Sequence, residues 1–414
     1  MLKQIPISDL FVDMYIAQII ETPGVPMPKK KRGMIRDPRI ISKFIEIGIQ
    51  EVVIDTEKGL DVLENTTAFD ALSADPDRLS DQEIEAQMSE LKKQMATGYQ
   101  DLALEWGNAK EIFKTSVNIM DQSIKAIKND KKINPEYFNE AGKAISRSIM
   151  RNKDALTWLG KLRTESSYLY EHSVNTSILM GIFANAYGLK EEQVEQCITG
   201  ALVHDLGQAH IQAEFFVREG PLSPEEFEQV KEHVNFGVRI LANNEETDEI
   251  VMRIVHEHHE RYDGSGYPNG LKRDEISLVG RMFAIVDTYD AVTNKRSYSN
   301  AIASSDGMRT LLNLSREHFD EGLVHQFIKC LGVYPTGSLV KLNNGLLAVV
   351  IAQNLHSPLK PVIKTIYSTK KKTYTDPQML DLMKKNMGEK ISSYEDPTKY
   401  EIKINDFMPE EIEL

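Results

Sequence analysis

Metal-ligating side chains recur along this chain at intervals that suit a helix plus its connection. His172 comes first, followed by His204 with Asp205, His233, His258 with His259, and Asp287, with 25 to 32 positions between successive candidates. Such spacing lets successive antiparallel helices each aim a ligand into one central cavity, which restricts the middle of the chain to a helical core. The histidines support the same region: all ten lie after residue 171, and nine fall between His172 and His325.

Within that series, Ala201-Leu202-Val203-His204-Asp205-Leu206-Gly207-Gln208 interrupts an apolar helical run with an imidazole and a carboxylate, both good ligands for a borderline divalent metal. Alone, the pair would equally fit a buried histidine beside a capping aspartate. Together, five imidazoles and two carboxylates exceed what one ion needs, so two metals sharing a carboxylate are the economical reading. Paired ions are the usual device for hydrolysing phosphate esters. The mixed nitrogen and oxygen set disfavours structural zinc and suits iron or manganese.

The totals narrow the function further. A length of 414 residues allows roughly two to four domains. The net charge of −13 opposes nucleic-acid polymers and membrane surfaces, so an anionic substrate must be met by local positive charge or metal. Cys197 and Cys330 form no paired-cysteine motif, which fits a reducing compartment. Asp9 and Asp13 fall where a signal peptide needs an apolar core, and the run Ile178 to Leu189 is too short for a bilayer. The expectation is a soluble cytoplasmic protein with no membrane partner.

The expected fold class is α+β multidomain, with a mainly helical core, a small mixed α/β N-terminal domain and a small β appendage at the C-terminus. Residues 1–70 form the N-terminal domain, with alternating strands over Ile5 to Ile20, a short helix around Ile40 to Ile47 and a strand at Glu51 to Asp55. The run Lys29-Lys30-Lys31-Arg32 lacks interleaved aromatics and reads as a solvated loop. Residues 71–139 hold a linker around Asp75-Pro76-Asp77, a capping box from Ser80 to Glu83, and long helices that suit a spacer, a homodimer surface or an outer wall. A helix from Asn134-Pro135 runs towards Arg163. Residues 140–333 are the core, in which Ser223 caps a helix with Pro224 at its first position. Residues 334–414 are β-rich, and Asn343-Asn344-Gly345 between two apolar runs signals a hairpin.

Directly after the histidine pair comes Glu260-Arg261-Tyr262-Asp263-Gly264-Ser265-Gly266-Tyr267-Pro268. Its glycines let backbone pass close to a ligand, and Tyr267-Pro268 offers a flat apolar surface. With this loop the chain resembles the HD-GYP family of cyclic-dinucleotide phosphodiesterases, a branch of the HD hydrolases. The resemblance is carried by Glu171-His172-Ser173, Gly200 to Gly207, His233 with Gly237, His258-His259-Glu260, the GYP loop with Gly270-Leu271, and Asp287-Thr288-Tyr289-Asp290-Ala291. It continues into His318-Phe319-Asp320 and Gly332-Val333-Tyr334-Pro335, and residues 1–70 are similar to the small domain that precedes the core in one HD-GYP subgroup.

The resemblance implies that His172, His204 and Asp287 hold one metal and His233, His258 and His259 the other, with Asp205 bridging. His204 and Asp205 are then also the catalytic centre, and attack in line with the departing 3′ oxygen gives a linear 5′-phosphorylated dinucleotide, open to a second cut into mononucleotides. Tyr168 stands where some three-metal relatives place a carboxylate, which favours two metals here. Substrate contacts are expected from Gln208, Lys295, Arg296, Asp263, Gly266 and Tyr267.

Two positions depart from the family pattern. Gln208 replaces the lysine of His-Asp-x-Gly-Lys, and Ser299 replaces a second basic residue. Each lost ammonium removes a charge-assisted hydrogen bond worth roughly 1.5 to 3 kcal/mol. Cyclic di-GMP and the hybrid 3′,3′-cyclic GMP-AMP are both carried as substrates. The alternative is a weakly active receptor that docks a diguanylate cyclase through the GYP loop, and the intact ligand set weighs against it. His210 could lie near the site, whereas His256, His318, His325 and His356 read as structural or solvated.

Overall fold

In a computed structural model the described residues are 2–6, 15–20, 32–34, 44, 47, 49–55, 58, 101–161, 168–212, 214–217, 222–242, 247–293, 304–354, 357, 359–384 and 388–407. The chain divides into two compact units, Met1–Ala74 and Asp75–Leu414. The linker, the capping box and most of the short helix and basic run expected near the N-terminus lie outside the described residues.

In the first unit, β1 (Leu2–Pro6), β2 (Tyr15–Ile19), β3 (Gly33–Met34) and β4 (Glu51–Asp55) form an antiparallel sheet in the order β1-β4-β2-β3. Alternation on β4, with a register shift on β2 between Ile16 and Gln18, accounts for the buried set. Ile16 and Ile19 on β2 and Val52 and Ile54 on β4 are buried, while Glu51 is exposed.

The second unit begins with α1 (Leu102–Lys128) and α2 (Pro135–Leu159). Asn134 caps α2 by accepting from the Glu136 N–H at 3.1 Å, with Pro135 in the first turn as expected. Glu105, near the start of α1, is fully buried and accepts from Arg151 Nε at 2.6 Å and Ser148 Oγ at 2.7 Å. Because Arg151 lies late in α2, this pairing sets the two helices antiparallel. The helix expected to run towards Arg163 stops earlier. Asn152 is extended and its side chain re-caps the chain through the Asp154 N–H at 3.0 Å, and the helix ends at Leu159, where Asn175 of the next helix fills the space beside Gly160.

Next come α3 (Tyr168–Tyr187), α4 (Glu191–Val203), a 3-10 turn (Leu206–His210) and the short α5 (Glu214–Val217). They are followed by α6 (Pro224–Ala242), α7 (Glu249–Glu257), α8 (Leu278–Thr293), α9 (Ser304–Leu314) and α10 (Glu321–Leu331). The α6 start is a capping box, with Glu226 N–H donating to Ser223 Oγ at 3.2 Å and Ser223 N–H to Glu226 Oε2 at 2.6 Å. One close approach organises this core. A Cβ on Gly207 would overlap the His233 carbonyl oxygen and the Gly237 nitrogen, so only glycine lets the 3-10 turn lie against α6.

The C-terminal sheet is antiparallel, in the order β8-β7-β6-β5-β9, from β5 (Leu339–Leu342), β6 (Leu346–Ala352), β7 (Val362–Ser368), β8 (Thr373–Asp381) and β9 (Ile391–Tyr394). The expected hairpin joins β5 and β6, with Gly345 at φ +89°. Buried polar bonds tie this sheet to α2: Trp158 Nε1 donates to the Ile351 carbonyl at 2.9 Å, and the Asp154 carboxylate accepts from Thr336 Oγ1 at 2.6 Å and the Gln353 N–H at 3.1 Å. The fold class is thus α+β, mainly helical with two small sheets. Among the described residues no helix is long and apolar enough to cross a membrane.

Candidate metal centre

The α3, α4, α6, α7 and α8 segments bring all seven expected ligands to one place. His172 from α3, His204 from the end of α4 and Asp287 from α8 form one cluster, and within it the donor atoms lie within 4.8 Å of one another. His233 from α6, with His258 and His259 after α7, forms a second cluster with the same limit. Asp205 stands between them, with Oδ2 3.1 Å from His204 Nε2 and Oδ1 3.5 Å from His233 Nε2 and 3.8 Å from His258 Nε2.

Backbone geometry sets the tautomers. Nδ1 of His204, His233 and His258 faces the carbonyl three residues earlier, Ala201, Val230 and Val255, at 2.7, 2.6 and 2.9 Å. A carbonyl only accepts, so each Nδ1 carries a proton, and in the neutral ring the Nε2 lone pair is the one directed inward. His172 obtains the same orientation from a carboxylate. Its Nδ1 donates to Asp290 Oδ2 at 2.7 Å, and Asn175 Nδ2 holds the other oxygen of Asp290. These polarised imidazoles are stronger donors to a cation.

The inward atoms lack enough protein partners. Among the described residues, His204 Nε2 and Asp205 Oδ1 are buried without a hydrogen bond, and His233 Nε2 lies 3.2 Å from His258 Nε2. Two lone pairs that close repel unless a proton or cation stands between them. The donor set therefore fits divalent metal ions, with imidazole and carboxylate ligands as the chemistry requires.

The electrostatics of the ligands alone agree. Burial, then the neighbouring His204 and His233, pushes His258 down to about 3, and burial beside His258 and His233 holds His259 well below the usual imidazole range. Burial would raise Asp205, but His204, His233 and His258 outweigh it and hold the carboxyl well below its ordinary value. Burial would likewise raise Asp287, and His172 lowers it. Burial would lower His204, yet the adjacent Asp205 charge raises it.

The wall of the site is the GYP loop. Glu260, buried, accepts from the Asn269 N–H at 2.8 Å and the Leu271 N–H at 3.0 Å, and Tyr267 N–H donates to the His259 carbonyl at 3.2 Å. Gly266 is where the loop crosses the backbone of residues 259–261, and a Cβ there would overlap it. The Tyr267 ring packs 4.6 Å from the His259 ring. Phe283 closes the apolar floor, 4.9 Å from the His204 ring.

The other expected contacts divide three ways. Gln208 lies part-buried on the 3-10 turn, one residue beyond Gly207, while Asp263 is exposed and its carboxylate accepts from Ser265 N–H and Oγ within the loop. His210 is exposed at the end of the turn against Phe236. Lys295, Arg296, Ser299 and His356 lie outside the described residues, as does the side chain of Tyr168. Of the histidines read as structural, His256 Nε2 lies 3.4 Å from Asn269 Nδ2.

Sequence reasoning missed Asp290, Asn175, Glu260 and Phe283 as site residues. Asp290 had a signal, because it follows Asp287 by three positions and so shares its helix face. Asn175 follows His172 by three in the same way.

With this geometry in place, comparison with known proteins decides the family. Residues 160–323 match the HD domain family, residues 2–138 a domain of unknown function, and residues 339–388 a KOW domain associated with HD domains. The chain is 30% identical over 397 residues to a cyclic di-GMP phosphodiesterase of Pseudomonas aeruginosa, covering 95% of this chain and 92% of the relative. The chain belongs to the HD-GYP family. A cyclic di-GMP phosphodiesterase of Thermotoga maritima is 35% identical over 161 residues, 39% of this chain and 44% of that protein. A 3′3′-cGAMP-specific phosphodiesterase of Vibrio cholerae is 33% identical over 147 residues, 35% of this chain and 28% of that protein. This HD-GYP chain is accordingly a phosphodiesterase of the HD hydrolase type.

Proposed function

We propose that this HD-GYP protein hydrolyses 3′,3′-cyclic dinucleotides, cyclic di-GMP first and 3′,3′-cyclic GMP-AMP second, to the linear 5′-phosphorylated dinucleotide. His172, His204 and Asp287 hold one divalent ion and His233, His258 and His259 another, iron or manganese, with Asp205 shared. The observation that carries this reading is the convergence of imidazole Nε2 atoms on Asp205, with His204 Nε2 and Asp205 Oδ1 buried without a hydrogen bond among the described residues and His233 Nε2 only 3.2 Å from His258 Nε2. The substrate class follows the relatives that match most of the chain or its core.

When bound, such ions supply Lewis acidity towards the phosphodiester and an acidified water. The chain's own residues prepare the site. Asp290 and the three backbone carbonyls hold the Nδ1 protons and so keep the imidazoles aimed inward, Glu260 fixes the loop that walls the cleft, and Tyr267 offers a face to a base. Gln208 carries an amide that can donate to a phosphate oxygen, in place of the family's ammonium. Residues 140–333 carry this chemistry, with 1–70, 71–139 and 334–414 attached to them.

The test is to load the protein with iron or manganese, incubate it with each cyclic dinucleotide and chromatograph the products. Linear dinucleotide is expected. Tight binding of both substrates with turnover of neither would overturn the enzyme reading in favour of a receptor.

A further inference from the structure

One cation stands at the lip of the second cluster. Lys231 precedes His233 by two residues on α6, and its Nζ lies 4.8 Å from the centre of the Phe227 ring and 5.5 Å from that of Tyr267. The two rings meet edge to face at 6.1 Å, and Tyr267 packs in turn on His259 at 4.6 Å. A single ring therefore separates the ammonium from a candidate ligand.

Phe227 is 43% exposed, a large apolar ring left in water beside Lys231 and Tyr267. The Lys231 side chain is only 26% exposed, and Glu228, its ion-pair partner at 2.7 Å, is 69% exposed. Such a surface pair contributes little and exchanges readily for a better anion. A purine nucleotide supplies both missing partners: a π face for the phenyl ring and a phosphate for the ammonium. Gln208, on the 3-10 turn that lies against the same helix, brings no charge.

We infer that Lys231 is a substrate-positioning residue, bracketed by Phe227 and Tyr267 so that its ammonium meets a phosphate oxygen of the cyclic dinucleotide while Phe227 stacks on a base. It supplies the charge that Gln208 lacks. This deepens the proposed function and rests on it.

The test uses full-length, metal-loaded protein with cyclic di-GMP, together with equilibrium binding of a phosphorothioate analogue. Lys231→Gln raises KM and weakens binding about tenfold while kcat stays within about twofold, as loss of one charge-assisted contact made equally in ground and transition states requires. Lys231→Arg restores both, and Phe227→Ala weakens binding without altering its salt dependence. Glu228→Gln acts in the opposite direction, lowering KM, because it removes the competing carboxylate. The Lys231 effect shrinks as salt rises. Wild-type turnover with unchanged KM and binding in Lys231→Gln, or Lys231→Arg behaving like Lys231→Gln, overturns this inference alone. A wild-type protein that neither binds nor cleaves any cyclic dinucleotide overturns the functional reading and this one with it.

Discussion

The two clusters solve the same problem with different means. The first contains its own counter-charge: Asp287 lies 3.1 Å from His172 Nε2, and Asp290 behind it fixes the ring. The second consists of three imidazoles that share the Asp205 carboxylate with the first, and burial with mutual repulsion drives His258 down to about 3. The first can satisfy itself by proton sharing. The second has no carboxylate of its own and depends on the shared Asp205.

Removing the shared carboxylate tests the largest part of that contrast. Asp205→Ala is expected to lower kcat by on the order of a thousandfold, as removal of a central electrostatic element does, and to weaken metal binding at both clusters. Retention of metal at the first cluster alone, read by metal analysis after dialysis, would sharpen the contrast, whereas unchanged turnover would break it. Gly207→Ala forces the 3-10 turn away from α6, which separates Asp205 from His233. It should cost about 1 to 3 kcal/mol or more in denaturant unfolding, and a wild-type midpoint would contradict the crossing described above.

Asp290→Ala acts on one cluster only. Loss of this carboxylate should weaken one of two metals about 10- to 100-fold in a chelator competition and leave the other unchanged. Equal weakening of both would show that the clusters do not differ in their support.

The smallest effect is in pH. In metal-free protein, His258 titrates at about 3 when folded against 6.5 when unfolded, so the unfolded chain takes up the proton first and stability falls as pH drops from about 6.5 to 3. His204 is raised, so its contribution is present below 6.5 and is lost as pH rises through its folded value. His258→Gln should flatten the acid-side decline in thermal melts, and His204→Gln should flatten the opposite limb. Identical profiles would remove the electrostatic distinction between the clusters.

Much of this site is legible from spacing because ligands on successive helices leave a periodic trace. His172, His204, Asp205, His233, His258, His259 and Asp287 are found that way, and Ser223, Asn134 and Asn343-Asn344-Gly345 mark element ends through local chemistry. What escapes is set by tertiary approach. Lys231 meets Tyr267 across 36 positions, and nothing local in either segment announces the pairing. Gly207 is read only as part of the motif Gly200 to Gly207, while its necessity comes from the helix lying over it. The end of α2 escapes for the same reason: the side chain that fills the space beside Gly160 belongs to α3.

Asp154 has a further consequence. Burial raises its carboxyl, and its two acceptor oxygens are matched by Thr336 and Gln353 beyond the last helix. A chain cut after residue 333 would leave that acid and the Trp158 indole facing water where donors and an acceptor had been. Shortened forms of this protein should therefore keep the sheet, since the seam that joins it to the catalytic helices behaves as interior rather than as a hinge.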